Sequence, residues 1–218
     1  MIQFDNHAFK GVDEGLKKLS DVQQHMGESI LALLVLFETS LDAANAQAFV
    51  DAKAIDKTIN ADEQQVDATV AGLISKFTIA GEELRYALGS IKTAVALERA
   101  ADRVKNAVKW IARAKYPLDA NSKQALASAV VALKAMVPLA LQQLTDFSAE
   151  AANELLAKAD QVQKAYRTLL VQHQSAEGEA PLLLVAKNLE QTADMAVEIM
   201  KICHFVHVGT KYEKSADK

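Results

Sequence analysis

Leu97-Glu98-Arg99-Ala100-Ala101-Asp102-Arg103-Val104-Lys105-Asn106 and Leu189-Glu190-Gln191-Thr192-Ala193-Asp194 are two versions of one phrase, and their placement decides the fold. Each sets two carboxylates at i and i+4, which on an α-helix stacks both side chains on one face, a turn apart. Like charges so placed repel by about 0.2–0.5 kcal/mol. A chain that carries the pair twice has either a cation site there or an acidic surface.

Outward from these phrases, turn signals divide the chain into six long segments with helical periodicity. The first runs from about Asp13 to Ser40, with Leu16, Leu19, Met26, Ile30, Leu33 and Phe37 on one stripe. The second, about Ala43 to Phe77, repeats the stripe with Phe49, Ile55, Ile59, Val66, Val70 and Leu73. Gly81 and the acidic pair Glu82-Glu83 open a third that passes through Trp110 to about Ala114.

Pro117, in Lys115-Tyr116-Pro117-Leu118-Asp119-Ala120-Asn121-Ser122, makes the clearest break, near the midpoint. The fourth segment, about Ser122 to Phe147, carries Leu126, Val130, Leu133, Val137, Leu141 and Leu144, and Pro138 is expected to kink it. Ser148 is placed to cap a fifth helix reaching about Gln174. The sixth follows Glu177-Gly178-Glu179-Ala180-Pro181, with proline in the first turn, and ends near Gly209. Three helices, a break, and three more with the phrase in the third of each set predict an all-α chain of two tandem antiparallel three-helix bundles. The expected units are residues 1–116 and 121–209, followed by a frayed polar tail at 210–218.

Composition agrees with an all-α reading and narrows function. Half of the 218 residues are hydrophobic but only 6% aromatic, with 8 Gly and 3 Pro. A net charge of -4 and no Lys/Arg-rich run argue against nucleic acid as a partner. The start, Met1-Ile2-Gln3-Phe4-Asp5-Asn6-His7, lacks a signal-peptide layout. The longest unbroken apolar run, Ile30 to Phe37, is too short to span a bilayer. The single cysteine, Cys203, fits a reducing compartment, so a cytoplasmic protein without membrane insertion is expected.

With these residues on the page, the chain resembles the PhoU family, phosphate-responsive regulators built from two tandem three-helix bundles. The family's third helices carry Leu-Glu-Arg-x-x-Asp-x-x-x-Asn, matched here through Asn106. Glu83-Leu84-Arg85 and Ile91-Lys92 resemble the family's approach to that motif. In the second helix, Asp56-Lys57-Thr58-Ile59-Asn60-Ala61-Asp62-Glu63 resembles its other acidic motif. The second half departs from the pattern. It has Gln191 for Arg and Glu198 for Asn, and Ala159 to Tyr166 offers Asp160 one position off and Gln163 where an acid is usual.

The resemblance implies a metal site in which Asp56, Asn60 and Glu63 face Glu98 and Asp102, with Asn106 a weaker ligand. Glu190, Asp194 and Glu198 would form the counterpart in the second half. Carboxylate and amide oxygens without imidazole or thiolate suit Mg²⁺ or Mn²⁺, with iron or zinc as alternatives. The bland alternative is a solvated acidic face, with Arg99, Arg103 and Lys105 as local counter-charge. The resemblance also implies a non-enzymatic adaptor between the ATPase subunit of a phosphate transporter and a sensor histidine kinase. A PhoU-like metal-binding protein or scaffold no longer tied to phosphate control is the alternative.

The remaining features weigh less. Cys203, His204 and His207 have zinc-like spacing but read better as late-helix packing. His25 and His173 read as surface or interface residues, and Met26, Met136, Met195 and Met200 as core filler. Trp110 suits an interface anchor or the bundle core equally. No Glu-x-x-His pair of a di-iron bundle, no phosphate-binding glycine loop and no nucleophile elbow occurs, so no catalytic role is expected. A two-fold homodimer is the default assembly.

Overall fold

The computed structural model describes residues 10–43, 45–114, 117–173 and 180–213. They form α1 (Lys10–Thr39), α2 (Ala46–Lys76), α3 (Gly81–Ile111), α4 (Ala120–Thr145), α5 (Ala149–His173) and α6 (Ala180–Val208), with no strand among them. The readings of residues 1–7, 177–179 and the last five residues of the tail lie outside the described residues.

Caps explain where several helices begin. The Asn45 side chain accepts from the Ala48 amide at 3.1 Å, which starts α2 three residues later than the periodicity alone implies. Asp119 caps α4 through the Ser122 amide at 2.9 Å, so α4 starts before Ser122, not at it. Ser148 caps α5 as expected, accepting from the Ala151 amide at 3.1 Å. Pro138 lies inside α4, which runs through it without a break.

The expected stripe of α1 is wholly buried from Leu16 to Phe37, and so is that of α4 from Leu126 to Leu144. In α2, Ile59, Val66, Val70 and Leu73 are buried, whereas Phe49 and Ile55 are only half-buried against the core. α1, α2 and α3 pack on one another as one bundle, and α4, α5 and α6 as the second. The bundles join through α3 against α6 and α1 against α4. One hydrophobic core therefore runs through both halves, and α2 and α5 flank it.

Close approach at the joins depends on missing side chains. A Cβ on Gly89 would lie 2.5 Å from Val206 Cγ2, and one on Gly27 2.3 Å from Leu141 Cδ1. The start of α3 meets the end of α6, where Arg85 Nε donates to the Val206 carbonyl at 2.7 Å. His207 Nε2 lies 3.1 Å from the carbonyls of Gln143 and Leu144, and its Nδ1 is 3.3 Å from Glu82. Across α1 and α4, Lys134 pairs with Glu38 at 2.5 Å and Lys123 pairs with Asp42.

α4 is the one described helix long and apolar enough to cross a membrane by composition, although Ser128 and Lys134 interrupt its apolar run. Here half of its apolar stretch is buried, packed against α1, α5 and α6 as a core helix.

Candidate functional site

The acidic motif of the first half lies along the seam between α2 and α3. Asp56, Asn60 and Glu63 recur on one face of α2, while Glu98, Asp102 and Asn106 recur at four-residue steps on α3. All six are half-buried. Between the two helices sits the ammonium of Lys105, 2.8 Å from Asp56 Oδ2 and 2.8 Å from Asp102 Oδ1. The other oxygen of Asp102 accepts from Asn106 Nδ2 at 3.0 Å. Asp62, on the far flank of α2, is held by His25 of α1 at 2.7 Å.

Burial pushes the Glu98 carboxyl above its ordinary range, and the like charges of Glu63, Asp102 and Asp56 push it further, against the pull of Lys105. Burial alone would lower the Lys105 ammonium. The hydrogen bonds to Asp102 and Asp56 outweigh that, and its pKa is raised.

The oxygens gathered here are of the kind a hard cation takes. As arranged, however, both oxygens of Asp102 and one of Asp56 are committed to protein donors, and a cationic side chain stands between the two carboxylates. Among the described residues no group of three or more His, Cys, Asp or Glu side chains is set to hold an ion. The chain's own residues thus do not fit a resident metal at Asp56, Asn60, Glu63, Glu98 and Asp102.

In the second half, Glu190 is paired with Lys187 at 2.6 Å, and Lys187 Nζ also lies 5.2 Å from the centre of the Tyr166 ring. Tyr166 is the α5 contact at this point, while Asp160 is exposed. Desolvation and the Glu190 charge raise the Asp194 carboxyl, against Lys187 and Lys201. Glu198, one turn on, pairs with Lys201 at 3.7 Å. No acidic side chain of α5 joins Glu190, Asp194 and Glu198 in a ligand cluster, which is the same misfit in a different form.

Sequence reasoning passed over a larger feature, a groove along the seam between α3 and α6. Its main cavity, about 650 Å³, has Ile91, Val95, Ala96, Met195 and Ile202 along its walls, with Lys92, Arg99 and Lys201 beside Asp194 and Glu198. It continues into a hollow of about 300 Å³ that ends at Phe205, Lys211 and Tyr212. Lys92, Arg99 and Lys211 make no ion pair among the described residues, although Lys92 lies 5.8 Å from the Phe205 ring centre. The cations sit far apart in sequence, so no basic run announces them.

The histidines separate. His25 is exposed on its flank, in keeping with a surface-or-interface reading, whereas the His173 side chain is 11% exposed and packs between the start of α4 and the end of α5. His204 turns to the Thr210 carbonyl at 3.0 Å and stacks edge-on to Phe147 and Tyr212. Cys203 is buried, its thiol toward the Ala140 carbonyl of α4. Met26, Met136 and Met200 are buried and Met195 half-buried. Trp110 is half-buried against the core between Lys109 and Arg113, at 5.3 and 5.0 Å.

Asp119, Ser122 and His173 form a trio with the membership of a hydrolase relay but not its geometry. Ser122 Oγ donates to Asp119 Oδ2 at 2.5 Å and lies 2.8 Å from His173 Nε2. The same Nε2 is 3.7 Å from Asp119, whereas a relay needs the carboxylate on the opposite ring nitrogen. Ser122 is fully buried, so the trio ties the start of α4 to the end of α5. The Ser122 hydroxyl holds the Asp119 carboxyl down, to about 2.

Comparison with known proteins places this architecture. The PhoU domain model matches residues 24–111 and again 129–203. A phosphate-specific transport system accessory protein PhoU homolog of Rhizobium meliloti (strain 1021) is 27% identical, over 94% of this chain and 90% of its own length. Its namesake in Caulobacter vibrioides (strain NA1000 / CB15N) is 26% identical over 97% and 96%. Among solved structures, PhoU from Pseudomonas aeruginosa superposes with a TM-score of 0.79 at 18% identity, covering 91% of this chain and 99% of that one. The phosphate transport system regulatory protein PhoU from Streptococcus pneumoniae gives 0.72 at 18%, covering 93% and 100%. At that identity the two structures speak for the fold.

Proposed function

The chain belongs to the PhoU domain family, and from that membership we propose that it regulates phosphate uptake and the phosphate-starvation response. It acts as a cytoplasmic adaptor between the ATPase subunit of a phosphate transporter and a sensor histidine kinase. The observation that carries this reading is similarity over 94% and 97% of this chain to two proteins named phosphate-specific transport system accessory protein PhoU homolog, of which it covers 90% and 96%.

An adaptor works through faces, and the α3–α6 groove is the face this reading assigns to a partner. Lys92, Arg99, Lys201 and Lys211 outnumber Asp194 and Glu198 around the apolar walls among the described residues, an excess that complements an acidic amphipathic segment. The second reading, a scaffold detached from phosphate control, draws on the divergent second motif, where Lys187 pairs with Glu190 and lies over the Tyr166 ring.

The test is co-purification from native cells grown in abundant phosphate. The adaptor reading expects the transporter ATPase subunit to be retained by the tagged chain. Lys92→Glu with Lys201→Glu should weaken that retention by about tenfold or more. Retention of neither the ATPase subunit nor a sensor kinase would remove the adaptor reading.

A further inference from the structure

We propose that Lys105 is the resident cation of the α2–α3 seam, so that this chain holds its acidic motif together with its own ammonium group and needs no metal ion to do so. The inference concerns the chain's own construction and stands apart from the phosphate-control reading.

The geometry is specific. The Lys105 ammonium makes two 2.8 Å contacts, one within α3 to Asp102 and one across the seam to Asp56. Its side chain is 18% exposed and that of Asp56 15%, so the cross-helix pair is shielded from water more than the surface pairs of α1, such as Lys17–Asp21 at 68% and 63%. An ammonium has three donors and no acceptor, so it satisfies carboxylates and cannot itself ligate an ion. A divalent cation entering between Asp56 and Asp102 would have to displace it, giving up both contacts, or sit beside a like charge in a half-buried seam.

The second half reaches the same end by another route. There Lys187 stands three residues before Glu190, where Lys105 stands three residues after Asp102, and it reaches the neighbouring helix through the Tyr166 ring. In each third helix a lysine one turn from the acidic pair supplies the positive charge.

The experiment uses the full chain, purified without added metal or chelator. Its metal content is measured first, and its melting temperature is then followed in chelator and in millimolar Mn²⁺. The proposal expects metal well below one equivalent and the same melting temperature in both solutions. Lys105→Gln, which leaves Asp56 and Asp102 unpaired, should melt roughly 3–8 °C lower in chelator. It should also gain a Mn²⁺ response of roughly 5–10 °C once the ion exceeds its dissociation constant about a hundredfold.

If Lys105→Gln alone does not fold, adding Asp102→Asn should restore folding by removing the unpaired charge, and failure to restore it would count against the proposal. One equivalent of tightly held metal in the wild-type chain, or a wild-type melting temperature raised by Mn²⁺, would overturn it. So would a Lys105→Gln chain that melts like the wild type and ignores Mn²⁺.

Discussion

Asp119 does three things with one carboxylate: it caps α4, accepts from Ser122 Oγ and accepts from Gln172 Nε2 at 3.1 Å. Those donors favour its ionised form, and the folded-state pKa falls from the usual 3.8 to about 2. A lowered carboxylate pKa contributes stability that is complete above the unfolded value and is lost as pH falls through the folded one. The melting temperature should therefore drop between about pH 4 and pH 2 more steeply in the wild type than in Asp119→Asn, which still caps the helix but carries no charge. Parallel profiles from thermal melts over that range would contradict this. The periodicity alone starts this helix at about Ser122 and gives Asp119 no role, because a cap lies outside the apolar stripe. The contribution of His173 and Gln172 was hidden because they arrive from α5. Lys105 shows the same limit: its step of three to Asp102 is legible, but its reach to Asp56 exists only once α2 and α3 are packed.

Helix identity was far more legible than helix contact. The apolar stripes of α1 and α4 and the breaks between helices follow from periodicity, and the structure keeps them. What periodicity does not reveal is which helix each face meets. Gly89 sits in mid-helix, where glycine ordinarily costs about 1 kcal/mol relative to alanine. Its role emerges only from the α6 side chain above it, Val206. Because a β-branched residue in a helix is nearly fixed at χ1, Val206 cannot swing away from an added Cβ. Gly89→Ala should therefore lose stability despite its better helix propensity, and Gly89→Leu should lose about 1–3 kcal/mol. Urea midpoints give the comparison, and a higher midpoint for Gly89→Ala would show that the α3–α6 contact has slack.

Across the whole molecule, the duplicated phrase foretells two bundles but not how firmly they are joined. The core is continuous through α3–α6 and α1–α4, so neither half buries its apolar surface alone. The chain should unfold in one transition, with fluorescence of Trp110, the sole tryptophan, coinciding with far-UV circular dichroism. Two separated transitions would mean that the bundles are independent. The proposed regulation of the phosphate response is tested most directly by alkaline-phosphatase output in phosphate-rich medium, in native cells with and without this gene. High output is expected in the deletion, returned to the repressed level by the wild-type gene. Repressed output in both strains would contradict it.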